Sequence, residues 1–175
     1  MPTLLLLRHA KSSWPPGVPD PLRPLNERGR RDAPAAGRIL AERSPIDLAL
    51  VSPAARTGQT YDLVAEQLPA RPPTRSDERI YEAGVGDLLE VIAETDDSVG
   101  RLLLVGHNSA IEMLAWHLCA PDGSAGYEEM VRKYPTAGLA EIDLPVPWHE
   151  LPAAVAWPSG APIGRLVSFV VCRGT

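Results

Sequence analysis

The chain has 175 residues, of which 45% are hydrophobic and 22% charged, a composition typical of a globular protein. A chain of this length can bury one sizeable core, and we expect a single domain over residues 1–175. The formal net charge is −5, from 17 basic and 22 acidic residues without a basic cluster, which argues against a nucleic-acid-binding surface. Two cysteines at no metal-ligand spacing indicate neither a zinc site nor a disulfide framework, so we expect a cytoplasmic protein.

An apolar run opens the chain at residues 3–7 and stops at Arg8. It is too short for the apolar region of a signal peptide, and no segment approaches the roughly 20 apolar residues of a membrane span. We therefore expect no membrane association and interpret the run as a buried strand. Similar runs predict strands at residues 48–51 and 102–105, and a weaker strand is expected to end at residues 79–81.

Helical patterns lie between these strands. Asn26 is a good N-cap for a helix through about residue 43, and Pro53 suits the first turn of a helix through about residue 68. Two more helices are predicted at residues 87–94 and 108–118. The last third of the chain predicts strands at residues 139–144 and 165–172, separated by a loop and without helical crossovers. The alternation predicts an α/β fold, a three-layer α/β/α arrangement with a mostly parallel central sheet.

Unusual polar residues follow each predicted strand of the parallel part. Arg8 and His9 follow the first strand, and Ser52 follows the second with Arg56 one turn into the next helix. Glu82 follows the third strand, and His107 with Asn108 follows the fourth. Ligands bind beyond the carboxyl ends of the strands in open parallel sheets, so all four clusters should converge on one site.

A dianionic phosphate is the simplest ligand for such a site. The guanidinium groups of Arg8 and Arg56 match phosphate oxygens bidentately, and helix N-termini near Ser52 and Asn108 add N–H groups. His107 could donate a further hydrogen bond, as a cation once the anion is bound. Glu82 makes more sense as a buried, protonated carboxyl that faces the departing atom.

His9 is the candidate nucleophile of this pocket. A neutral imidazole can attack phosphorus through one ring nitrogen when the other donates to a fixed acceptor. The surrounding positive groups would stabilise the transition state, so the reaction needs neither a metal ion nor another cofactor. The plainer alternative for Arg8 and His9 is a half-buried pair at the end of a strand.

Five segments of the sequence resemble the histidine phosphatase superfamily, and most of all its small SixA-type phosphohistidine phosphatases. They are, in chain order, RHAKS at residues 8–12, SPAARTGQT at 52–60, IYEAGVGDLLEVI at 80–92, LLLVGHN at 102–108 and PTAGLAEIDL at 135–144. The resemblance implies a phosphoglycerate mutase-like histidine phosphatase fold without a large cap. It also implies that the first and fourth strands are neighbours, with His9 beside His107.

Residue by residue, the resemblance implies that His9 is phosphorylated and that Arg8, Arg56 and His107 bind the phosphate. In larger relatives a glutamate after the third strand donates a proton, and Glu82 falls at that position. Three further residues of these motifs are candidate substrate contacts: Lys11, Ser12 and Asn108. For Lys11 and Ser12, the alternative is that they only shape the loop.

The substrate that the resemblance implies is a phosphohistidine in a phosphorylated protein. Two alternatives use the same residues. One is a phosphatase for small phosphate esters, and the other is a non-catalytic module that binds phosphate.

Overall fold

A six-stranded sheet organises the computed structural model, which describes all 175 residues. Its strands follow the order β3-β2-β4-β1-β5-β6. The first four strands in that order are parallel, whereas β5 runs antiparallel to both β1 and β6. The strands are β1 (Thr3–Arg8), β2 (Leu48–Val51), β3 (Thr74–Ser76), β4 (Arg101–Gly106), β5 (Gly138–Asp143) and β6 (Arg165–Val171).

Six α-helices cover the two faces of this sheet. The helices are α1 (Glu27–Ala41), α2 (Ala55–Ala65), α3 (Val85–Ala93), α4 (Ala110–Leu118), α5 (Ala125–Arg132) and α6 (Leu151–Val155). Buried residues of α1 and α2 form the core on one face, and those of α3 to α6 form the larger core on the other. The predicted three-layer arrangement with a mostly parallel sheet is therefore confirmed.

The leucine run of β1 lies at the centre of the sheet and is buried on both faces. Leu4 and Leu6 belong to the core beneath α3 and α4, whereas Leu5 and Leu7 belong to the core beneath α1 and α2. Successive side chains of a strand point to opposite faces, so a strand covered on both sides must be apolar at every position. This burial explains why four leucines precede the polar pair at its end.

The third strand is not where the sequence pattern put it. Strand β3 is the polar segment Thr74–Ser76 at the edge of the sheet, while Arg79 lies in a 3₁₀ turn over Glu78–Ile80. The carboxylate of Asp77 accepts a hydrogen bond from the backbone N–H of Arg79 at 3.0 Å and turns the chain there. The prediction of a strand ending at residues 79–81 is wrong, because a short polar edge strand has no apolar signature.

The last third also departs from the sequence prediction in its helices. Helices α5 and α6 were not predicted, although β5 and β6 are antiparallel neighbours that need no crossover between them. The loop between those strands holds α6 and the buried Trp148, whose indole N–H donates to the carbonyl of Val99 at 2.7 Å.

At the start of α1, Asn26 accepts from the N–H of Gly29 at 2.9 Å and is the expected N-cap. No helix of the chain has both the length and the apolar character that crossing a membrane requires.

Candidate active site

The predicted site residues meet at the carboxyl edge of the parallel strands. Strands β1 and β4 are neighbours with Arg8 opposite Gly106, so the residues that follow them lie side by side. The imidazole rings of His9 and His107 are 5.3 Å apart, measured between their centroids. Arg56 enters from the first turn of α2, which follows β2. Three of the four predicted clusters therefore share one site.

The side chain of His9 is fixed with one ring nitrogen free. It is 8% exposed, and its Nδ1 lies 2.7 Å from the carbonyl oxygen of Ala10. Because a carbonyl oxygen only accepts, Nδ1 carries the proton and Nε2 keeps its lone pair. Burial lowers the pKa of His9 to about 3, and the nearby charges of Arg56 and Arg8 act in the same direction. His9 is thus a neutral imidazole at physiological pH.

His107 is anchored through its other ring nitrogen, Nε2. Its Nε2 lies 2.7 Å from the hydroxyl of Ser52, and its Nδ1 is buried without a partner. The Ser52 hydroxyl oxygen accepts from the N–H of Ala54 at 3.4 Å. When the hydroxyl proton is donated to Nε2 of His107, the ring proton lies on Nδ1. Nδ1 then carries a proton that no protein group accepts. Burial, together with Arg56, lowers the pKa of His107 to about 4.

Arg56 is anchored by a single residue of the Pro-rich loop after β1. Its Nη1 donates to the backbone carbonyl of Asp20 at 2.9 Å, and its Nη2 donates to the Asp20 carboxylate at 3.1 Å. The Nε of Arg56 is buried without a partner, and the side chain is only 7% exposed. One edge of the guanidinium is therefore occupied and the other is unpaired.

Arg8 and Asn108 share a different anchor. The Nη1 of Arg8 and the Nδ2 of Asn108 both donate to the backbone carbonyl of Tyr134, at 3.0 and 2.9 Å. Tyr134 is itself fixed by its hydroxyl, which donates to the carbonyl of Leu6 at 2.7 Å. The Nε of Arg8 and the Oδ1 of Asn108 are buried without partners. Burial lowers the pKa of Arg8, and Glu112 opposes that shift.

The side chains of Arg8, Arg56, His107 and Asn108 share one feature. Each has one polar atom hydrogen-bonded to the protein and another polar atom without a partner. The unpaired buried atoms are Arg8 Nε, Arg56 Nε, His107 Nδ1 and Asn108 Oδ1. A buried polar group without a partner costs about 1–3 kcal/mol, so four such groups on neighbouring side chains at one sheet edge are suited to a ligand that completes them. Three of the four are N–H donors, and a cluster of N–H donors with two guanidinium groups is suited to an oxyanion.

Glu82 differs from its expected environment. Its side chain is exposed, it follows a 3₁₀ turn rather than a strand, and its carboxylate makes no hydrogen bond to the residues of the site. The expectation of a buried carboxyl is wrong, because the chain leaves the sheet at Asp77 and carries Glu82 outward. The backbone of Glu82 has a φ of 55°, in the left-handed region that side chains with a Cβ disfavour.

The two loop residues after His9 have different environments. Lys11 is exposed, while its backbone carbonyl accepts from the N–H of Asn26 at 3.0 Å. Ser12 is buried, and its hydroxyl accepts from Nη1 of Arg23 at 2.9 Å. These contacts fit the loop-shaping alternative, and contact of either side chain with substrate stays a prediction.

Three further polar residues at the site have no counterpart in the sequence analysis: Asp20, Arg23 and Tyr81. The carboxylate of Asp20 accepts from Arg23 Nε at 2.9 Å, from Arg56 at 3.1 Å and from the Tyr81 hydroxyl at 2.5 Å. The hydrogen bond from Tyr81 and the two guanidinium groups hold the pKa of this carboxyl well below its usual range. The signal available in the sequence was a pair of opposite charges inside a Pro-rich loop that directly follows the strand of His9.

Paired histidines and arginines at the carboxyl edge of this sheet define the class of histidine-based phosphoryl-transfer proteins. The model of the histidine phosphatase superfamily (branch 1) matches residues 4–99, and the chain belongs to that superfamily. This membership confirms the family resemblance of the sequence motifs.

Relatives with similar sequence or structure agree with that membership. An uncharacterized protein of Mycobacterium tuberculosis is 37% identical over 148 residues, which cover 83% of this chain and 91% of the relative. A proposed phosphohistidine phosphatase SixA from Nakamurella multipartitia superposes with a TM-score of 0.82 at 27% identity, covering 98% of this chain and 96% of that one. A proposed SixA from Agrobacterium tumefaciens gives a TM-score of 0.75 at 28% identity, covering 97% and 98% of the two chains.

Proposed function

We propose that this protein is a metal-independent phosphatase that works through a phosphorylated His9 and removes phosphate from phosphohistidine in a protein substrate. The observation that carries the proposal is the set of unpaired N–H groups on Arg8, Arg56 and His107 around a neutral His9. Membership of the histidine phosphatase superfamily and the likeness to two proposed SixA proteins support it.

In the first step, the lone pair of His9 Nε2 attacks the phosphorus atom and forms a P–N bond. The bond from phosphorus to the substrate nitrogen breaks, and the departing imidazole keeps that electron pair and takes a proton from solvent. The hydrogen bond from Nδ1 to Ala10 holds His9 in the tautomer that this attack needs. Arg8, Arg56 and His107 donate to the non-bridging oxygens, where negative charge must be stabilised.

In the second step, a water molecule attacks the phosphorus atom of phosphohistidine. The bond between phosphorus and His9 Nε2 breaks, the electron pair returns to the ring, and the proton of the water leaves to solvent. Inorganic phosphate departs and His9 is again neutral. The two guanidinium groups supply the positive charge that a metal ion supplies in other phosphoryl-transfer enzymes.

The choice of phosphohistidine rests on the carboxyl groups around the site. Glu82 is exposed and makes no hydrogen bond within the site, while Asp20 accepts three hydrogen bonds that keep it ionised. Neither carboxyl is placed as a buried general acid for an alkoxide leaving group. An imidazole is a better leaving group than an alkoxide, so a phosphohistidine substrate needs such an acid least.

A substrate panel with the wild type and His9→Ala, run with a chelator present, tests the proposal. The panel contains a protein phosphorylated on histidine, an aryl phosphate and a set of small phosphate esters. We expect the highest kcat/KM for the phosphohistidine protein, an acid-labile phosphoenzyme in the wild type, and a loss of at least about 10³-fold in His9→Ala. His149→Ala is the matched control, because His149 is exposed and pairs with Asp97 outside the site.

Each other outcome has a definite meaning. Turnover by His9→Ala at the wild-type rate would contradict the nucleophile. A higher kcat/KM for a small ester would replace the substrate by a phosphomonoester, and phosphate binding without any turnover would leave a non-catalytic module.

A further inference from the structure

We propose that Asp20 is a positioning residue that fixes which edge of the Arg56 guanidinium faces the bound oxyanion. The inference rests on the proposed phosphate pocket and adds a residue that lies outside the sequence motifs of the site. It has an unusual consequence, because it makes a carboxylate necessary for binding an anion.

The hydrogen bonds of Arg56 show which edge of its guanidinium is occupied. A guanidinium group is planar and offers two double-donor edges, one formed by Nη1 with Nη2 and the other by Nε with Nη2. Asp20 occupies the first edge with two acceptors, its backbone carbonyl at 2.9 Å and its carboxylate at 3.1 Å. The second edge contains the buried Nε without a partner. Because Asp20 occupies one edge of the guanidinium, the other edge is left to bind the ligand.

Asp20 is itself held in position by other residues. Its carboxylate accepts hydrogen bonds from Arg23 at 2.9 Å and from the Tyr81 hydroxyl at 2.5 Å, in addition to Arg56. Arg23 also donates to the hydroxyl of Ser12 at 2.9 Å, so the loop is tied back to the segment that follows His9. The Trp14 ring lies over the guanidinium of Arg23, 3.4 Å from ring centroid to Cζ. Asp20 thus has a fixed position from which to orient Arg56.

Electrostatics alone predicts the opposite effect of removing this carboxylate. A negative charge beside an anion site repels the anion, and Asp20 also acts to raise the pKa of the neighbouring His107. If Asp20 acted only as a charge, its removal would strengthen oxyanion binding. If it positions Arg56, its removal weakens binding, so the sign of the change separates the two roles.

Calorimetric titration with tungstate, a tetrahedral oxyanion, tests the inference without relying on turnover. We expect Asp20→Ala to raise the dissociation constant of tungstate roughly tenfold, the size expected for a lost charge-assisted hydrogen bond. Asp20→Asn keeps an acceptor oxygen for Arg56 and removes the charge, so it should bind tungstate as tightly as the wild type or more tightly. Asp62→Ala is the control, since Asp62, on α2, also pairs with an arginine, Arg71, but is exposed.

A second variant keeps the test decisive if Asp20→Ala does not fold, as judged by its Tm. Tyr81→Phe removes one donor from the Asp20 carboxylate and keeps both the charge and the ring, and it should weaken tungstate binding about threefold. Unchanged or tighter binding in both Asp20→Ala and Tyr81→Phe would overturn the inference.

Failure of the inference and failure of the proposed function give different results. A wild type that binds tungstate but turns over no phosphorylated substrate would refute the proposed function, while the variant isotherms still decide the role of Asp20. A wild type that turns over substrate and variants that bind tungstate unchanged would refute only the role of Asp20. A wild type that does not bind tungstate would refute the role of Asp20, and one that also turns over no phosphorylated substrate would refute the proposed function as well.

Discussion

The rings of His9 and His107 lie 5.3 Å apart at the end of two neighbouring strands, and each keeps a different ring nitrogen free. Ala10 fixes Nδ1 of His9 and leaves Nε2 without a partner, whereas Ser52 fixes Nε2 of His107 and leaves Nδ1 without a partner. Both rings carry their proton on Nδ1, but they are anchored through opposite nitrogens. In the proposed mechanism this lets one ring attack phosphorus through its free lone pair while the other donates its free N–H to the oxygens. The same burial that sets these roles makes both rings resist protonation.

The stability of the protein should fall as the pH falls from 7 to 4.5. An unfolded histidine has a pKa near 6.5, whereas burial lowers the pKa of His9 to about 3 and that of His107 to about 4. At pH values between the unfolded and the folded pKa, the unfolded chain binds more protons than the folded protein does. The stabilisation that is present above the unfolded pKa is therefore lost on acidification. Each histidine should account for about 2 kcal/mol of the loss at pH 4.5. Urea unfolding at both pH values measures it.

Variants identify the histidines as the source of that pH dependence. His9→Asn should show a smaller loss than the wild type between pH 7 and 4.5, while His149→Asn, an exposed control, should match the wild type. Equal losses in His9→Asn and the wild type would contradict the assignment.

Replacing Tyr134 by Phe should reduce both stability and activity. The Tyr134 hydroxyl donates to the carbonyl of Leu6 and accepts from the N–H of Ala140 at 3.2 Å, and the substitution removes both hydrogen bonds from a fully buried side chain. We expect a decrease of about 1–3 kcal/mol in the free energy of unfolding. The carbonyl that anchors Arg8 and Asn108 also becomes less constrained, so kcat/KM should fall several-fold. Tyr127→Phe, on α5, should change neither quantity, and an unaltered kcat/KM in Tyr134→Phe would show that the anchor is unimportant.

Replacing Gly29 by Ala should destabilise the protein through the loop that follows His9. A Cβ at residue 29 would lie 2.1 Å from the carbonyl oxygen of Lys11 and 3.0 Å from its carbonyl carbon, which are backbone atoms. We expect a loss of about 1–3 kcal/mol and reduced turnover, because α1 or the loop must shift. Gly86→Ala is the matched control, since no atom lies within 4 Å of its Cβ and alanine favours a helix by up to about 1 kcal/mol. Thermal melts of both variants measure the difference, and equal Tm changes would contradict the close contact.

Replacing Glu82 by Gln should leave the turnover of phosphohistidine nearly unchanged. The side chain is exposed and forms no hydrogen bond with the site, and the imidazole leaving group requires little acid catalysis. We expect kcat/KM within about twofold of the wild type, by comparison with losses of 10²–10⁴-fold for a true general acid. A loss in the larger range with phosphohistidine itself would contradict this expectation, and the same loss confined to substrates with alkoxide leaving groups would identify Glu82 as their proton donor.

The sequence predicted those parts of the fold that depend on the pattern of neighbouring residues along the chain. The leucine run of β1 and the Asn26 N-cap are local features, and the polar pairs after β1 and β4 had to meet once those strands were neighbours. Edge strand β3 was misplaced because its residues are polar, and the outward position of Glu82 followed from that misplacement. Asp20 and the carbonyl of Tyr134 were not predicted, since their roles depend on contacts across 36 and 126 positions of the chain. Such contacts have no local signature.

The anchor of Arg8 at Tyr134 means that the recognisable motifs do not contain everything they need. The match to the family model covers residues 4–99, yet the carbonyl that orients Arg8 belongs to the segment between α5 and β5. A chimaera that joined residues 1–118 of this chain to the remainder of a relative would keep the motifs through His107 and Asn108 while changing the partner that orients Arg8. Exchange of this C-terminal third is therefore a way to retune the proposed phosphate pocket without altering any of the side chains proposed to bind phosphate.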